Sequence, residues 1–125
     1  MTKAQTPLDY FGELLMRRVR DEAISDWDMI VDGRMKDEGS KIIRAELSHR
    51  AFNKDQIDVI QWLVPQIVDT ALHHLLWTLE QEENVDIAVK TRTKEVPSLR
   101  EVSDGLAGEL YDWIPRFSKE RHDEP

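Results

Sequence analysis

Apolar residues recur at helical spacing along most of the chain. Thr6-Pro7-Leu8-Asp9 predicts a helix start: Thr6 caps, Pro7 fits the first helical position, and Asp9 completes a capping-box-like pair. Leu8, Phe11, Leu15 and Val19 then share one face, which Leu14 widens. Arg17, Arg18 and Arg20 read as a solvated face pairing with Asp21 and Glu22. A second helical piece opens at Ser25, turns Trp27, Ile30 and Val31 inward, and ends at Gly33, where glycine reaches the left-handed conformation cheaply. Ile42, Ile43 and Leu47 predict a third helix over about residues 40–49.

The strongest pattern follows. Asn53 and Gln56 have capping-box spacing. Behind them Ile57, Ile60, Val64, Ile67, Val68, Ala71, Leu72, Leu75 and Leu79 keep helical register to about residue 82. Pro65 lies inside this run, where it removes a backbone hydrogen bond and crowds the preceding turn. A kink near residues 61–65, or two abutting helices, is therefore expected. After Glu83 the period changes to two: Val85, Ile87 and Val89 alternate with Asp86, Ala88 and Lys90, and Thr91 and Thr93 with Arg92 and Lys94. That alternation predicts a half-exposed strand, broken at residues 95–98, with Leu99 and Val102 as candidates for a short partner strand. Ser103-Asp104-Gly105 is a turn signal. Residues 106–114 fit a short helix, with Leu106, Leu110 and Trp113 on one side, or a strand; Pro115 is expected to end either.

Helices first and strands late predict a mainly helical α+β fold: three to four helices around one long central helix, with a short late β-strand or hairpin. The alternative is an all-α bundle with an irregular C-terminus. A length of 125 residues fits a single domain, 1–125, with residues 1–5 and 119–125, His122 among them, expected to fray.

Composition narrows the function classes. There is no cysteine, which removes disulfide scaffolds, thiol nucleophiles and Cys–zinc sites. The apolar runs are too short for a membrane span, and the N-terminus has no secretory h-region, so a cytoplasmic protein is expected. The net charge of −8 repels phosphate backbones, arguing against nucleic acid and favouring a basic partner.

One face of the long helix carries candidate chemistry. Trp62, Gln66, Asp69, His73, Trp77 and Glu80 recur three or four apart and share a stripe. Asp69 and His73, one turn apart, are placed to hydrogen-bond, with Trp62 and Trp77 as aromatic walls. Trp62, Asp69, His73 and Trp77 are thus the candidate ligand- or partner-binding residues, set against the plainer reading of a helix covered on two sides. Glu46 and His49 have the E-x-x-H spacing that lets two side chains reach one metal; with Asp69 and His73 they form a weak alternative metal set. His73 and His74 diverge by about 100° on a helix and do not share a metal. No nucleophile elbow, Walker loop or dinucleotide-binding glycine motif is present, and no cofactor is implied. Lys90, Arg92 and Lys94 project together from a regular strand and read first as protection of an edge against aggregation.

Two strings resemble a group of small uncharacterised bacterial proteins. One is Ser103-Asp104-Gly105-Leu106-Ala107-Gly108-Glu109-Leu110-Tyr111, followed by Trp113-Ile114 and Arg116-Phe117-Ser118. The other runs from Asp69 through His73-His74 to Trp77. The resemblance implies a bacterial source and carries no activity or binding residue with it.

The expected function is a small acidic protein-interaction module binding a basic partner, of which an immunity- or antitoxin-like protein is one concrete form. The alternatives are a small-molecule or metal-binding enzyme on the Asp69/His73 face, and a homo-oligomeric structural protein, such as a homodimer through the second face of the long helix.

Overall fold

Thr6 accepts a hydrogen bond from the Asp9 backbone N–H and starts a helical rod that does not end until Val31. The computed structural model describes residues 5–121. The rod comprises α1 (Pro7–Leu14), a π-helical segment (Leu15–Arg20) and α2 (Asp21–Val31), rather than two separate pieces. In the π segment the Asp21 N–H reaches back five residues, to the Met16 carbonyl, so the turn holds one residue more than an α turn. The consequence is visible in burial. Leu15 and Met16 face the core, and the next buried pair is Arg20 and Asp21, while Val19, expected to face inward, is exposed.

Gly33 ends the rod with φ +85°. Its N–H donates to the Ile30 carbonyl and that of Arg34 to Met29, the two bonds of a Schellman cap. Helix α3 (Glu38–His49) is capped by Asp37, whose carboxylate accepts from the Ser40 N–H and hydroxyl. It closes with the same pair of bonds, Ala51 to Ser48 and Phe52 to Leu47, but here the left-handed position is Ala51.

Helix α4 (Lys54–Gln81) is the long central element. Its start is a complete capping box: Asn53 accepts from the Gln56 N–H, and the Gln56 side chain accepts from the Asn53 N–H. It runs as one helix through Pro65 instead of dividing there. The chain then forms a two-stranded antiparallel hairpin, β1 (Val89–Lys90) with β2 (Glu95–Val96), Val89 facing Val96. The strand expected over residues 85–94 is thus shorter, and residues 95–96, read as the break, are its partner. The Thr91 hydroxyl and backbone bond Lys94 and turn the chain early. Residues Leu99–Val102 make a 3-10 turn, not a strand.

Residues 106–117 resolve as a helix, α5 (Leu106–Phe117), which continues past Pro115 because the proline sits in its last turn. The core lies where α5 meets α1, the π segment and the second half of α4. Leu15, Met16, Leu72, Leu76, Leu99, Leu110 and Trp113 form its centre. Trp113 is fully buried, edge-on to Phe11, and its indole lies flat against the backbone of Gly12. Arg116 ties α5 to α1 through Asp9, and Arg100 ties the 3-10 turn to the end of α4 through the Glu82 carbonyl. The fold is therefore the mainly helical α+β architecture with a late hairpin.

Candidate functional site

Helices α4 and α5 diverge above the core and leave an open cleft of about 580 Å³. The size falls within the range of small-ligand and peptide sites. Trp62, Gln66, Asp69 and His73 enter it from α4, spaced three or four apart on one face. Pro65 and Thr70 flank them, and α5 supplies Tyr111, Ile114 and Pro115. Arg20 forms part of the floor, and Arg121 stands at the edge. Of the sequence candidates, three meet here and the fourth does not: Trp77 is half exposed, outside the cleft.

The floor is an ion pair. Arg20 is completely buried, although the sequence reading placed it on a solvated face. The extra residue of the π segment turns it inward. Its Nε and Nη2 donate to the two oxygens of Asp69, at 2.6 and 3.1 Å. Its remaining donors go to the Ser118 hydroxyl and to the carbonyls of Glu120 and Arg121. All five guanidinium hydrogens therefore find acceptors, the condition for burying the charge at acceptable cost. Neighbouring Asp21 completes the arrangement by accepting from the Ser118 hydroxyl and the Lys119 and Glu120 N–H groups. Residues 118–121 are thereby strapped to the π segment. Arg121 is fastened in turn by a two-pronged bond to Asp28 and a bond to the Gln61 carbonyl. The Asp28 carboxylate raises the Arg121 guanidinium further above its ordinary pKa. Of the expected loose end, residues 122–125, including His122, lie outside the described residues, as do residues 1–4.

Because Asp69 is engaged by Arg20, the expected Asp69–His73 hydrogen bond does not form. His73 meets α5 instead: its Nδ1 and the Tyr111 hydroxyl are 3.2 Å apart, and among the described residues its Nε2 has no hydrogen-bond partner. Two aromatics line the cleft, Trp62 from α4 and Tyr111 from α5, exposed at 63% and 62%. The proposed metal set of Glu46, His49, Asp69 and His73 does not assemble. Among the described residues no three His, Asp or Glu side chains converge, and Glu46 is bonded to Arg50. Glu80, on the same stripe, is half-buried beside Gly105.

The sequence reading missed Arg20, Tyr111 and Arg121 as contributors to the cleft. Tyr111 follows from helical spacing with Ile114 once α5 is known to be a helix. The placement of Arg20 had no such signal, because the apolar register of the sequence steps from Leu15 to Val19 and passes over it. No helix among the described residues is long and apolar enough to cross a membrane. Comparisons with protein-family models, curated proteins and solved structures return no match for this chain.

Proposed function

We propose that the protein is a small acidic interaction module that takes an extended segment of a basic partner protein into the α4–α5 cleft. The observation that carries this reading is the pair of largely exposed aromatics that line the open cleft, Trp62 on α4 and Tyr111 on α5 beside His73. Exposed Trp and Tyr are the residues that most often anchor protein interfaces, because each buries a large rigid surface at small entropic cost. Pro65, Ile114 and Pro115 add apolar lining, while Gln66 and His73 offer hydrogen bonds to a peptide backbone. The cleft itself is nearly balanced in charge. Preference for a basic partner comes from the net −8 of the whole chain, which steers encounter at long range.

The test is a selection of displayed random peptides with the native protein as bait, counter-screened on Trp62→Ala. Enrichment of Lys- or Arg-flanked apolar peptides, weakened at least about 30-fold by the substitution, supports the reading. Peptides that bind the variant equally well, or no enrichment at low salt, overturn it.

A second reading, small-molecule chemistry on the same face, is favoured by the His73–Tyr111 contact, which orients the imidazole. It predicts a metabolite whose thermal stabilisation of the protein disappears in His73→Ala and survives in Trp62→Ala.

A further inference from the structure

A second surface lies on another side of α4. Between Val59 and Leu79 the only Asp, Glu, Lys or Arg is Asp69, and it is turned inward to Arg20. The rest of that chain is rich in such groups, which make up 34% of all residues. Val59, Leu63, Ile67, Ala71 and Leu75 follow one another at intervals of four, forming a single apolar ridge inclined to the helix axis. All five are exposed; Ile67, at the middle, is 64% accessible and Val59 54%. The ridge is distinct from the cleft, which uses Trp62, Gln66, Asp69 and His73.

We propose that this ridge is the seat of a second copy of the chain, crossing antiparallel about a two-fold axis through Ile67. Charge selects the occupant. A basic partner finds no carboxylate on the ridge, and an anionic lipid surface is repelled by a chain of net −8. Two copies of so acidic a chain repel each other as well, and they can meet cheaply only on a face that brings no charge into contact. The ridge is such a face. It is also self-complementary. With Ile67 on the axis, Leu63 meets the second copy's Ala71, large against small, while Val59 and Leu75, each turned about 80° from Ile67, flank the contact. From Leu63 to Ala71 the ridge is roughly 12 Å long at 1.5 Å per residue. That makes a contact at the small end of the scale, where stable dimers bury about 800 Å² per partner, so a micromolar equilibrium is expected.

The absence of cysteine makes the test clean. Sedimentation equilibrium of the native chain from about 1 to 300 µM, spanning the expected range, should show growth from 14.6 kDa toward twice that mass. Ile67→Glu should remain at 14.6 kDa with an unchanged circular dichroism spectrum. Ile67→Cys should form a disulfide-linked dimer under mild oxidation at least about tenfold faster than Val102→Cys, a site elsewhere that is 51% exposed against 64% for Ile67. A native chain that stays monomeric throughout overturns the proposal. So does a dimer that Ile67→Glu leaves intact, or equal crosslinking of the two cysteine variants. Should Ile67→Glu lose its helical spectrum, the cysteine comparison alone decides.

Discussion

At three small residues a single Cβ decides the sign of a substitution. A Cβ built on Gly12 falls 2.3 Å from the Trp113 indole, inside any tolerable contact. Gly12→Ala must therefore displace the largest buried side chain, and a loss of about 1 to 3 kcal/mol is expected in chemical denaturation. Gly108, on the solvent side of the first turn of α5, has nothing within 4 Å, so Gly108→Ala should stabilise by about 0.5 to 1 kcal/mol. The opposite signs separate steric contact from helix propensity. Ala51 presents the reverse case. It occupies the left-handed position of a helix cap at φ +56°, where an alanine Cβ is strained. Ala51→Gly should raise stability by up to about 1 kcal/mol, measured as a shift in the denaturation midpoint without a change in slope.

At the scale of elements, the junction that matters is the one between the π segment, α4 and the C-terminal strap. Arg20 has no exposed surface and holds Asp69 and residues 118–121 at once. Removing one side of a buried pair leaves the other uncompensated, so Asp69→Ala should cost about 3 kcal/mol. Hydrogen exchange should show the loss spreading to the amides of Lys119 and Glu120, whose acceptor Asp21 leans on the same guanidinium. A strap indifferent to Asp69 would show that Asp21 holds it alone. The long helix was legible in the sequence from its capping box and unbroken register, and the hairpin from its two-residue period. What could not be read was set by contacts between distant elements. The Asp69–His73 spacing is that of a helical pair, yet the carboxylate meets an arginine from another helix. The paired strand shrank because Thr91 turns the chain, and helix α5 emerged from an ambiguous string because Leu106, Leu110 and Trp113 have a core to enter. Trp62, Asp69 and His73 share a cleft, while Trp77 does not.

Over the whole molecule the acidic groups are a mild liability as well as a means of steering. Two exposed carboxylates are tied into local structure. The Ser40 hydroxyl and N–H hold Asp37 below its ordinary pKa. The Ser98 hydroxyl, helped by the Ile87 N–H and Arg100, does the same for Asp86. A lowered folded pKa stabilises the protein above the ordinary carboxylate value and is lost as pH falls through the lowered one. The melting temperature should therefore begin to fall below about pH 4. Asp37→Asn with Asp86→Asn should start lower at neutral pH and fall less steeply. A melting curve as steep in the double variant as in the native chain would assign the acid loss to other groups.

The π-helical turn has a consequence for the chain as a message. The extra residue is absorbed within a single turn, so the step of five from Leu15 to Arg20 does here what a step of four does in an α-helix. Deleting Arg17, Arg18 or Val19 would turn that step back into the α repeat and leave every member of the strap in the sequence. Arg20 and Asp21 would still share a side with Leu15 and Met16, now on a regular helix. The π turn is an insertion that the fold reads without losing its frame.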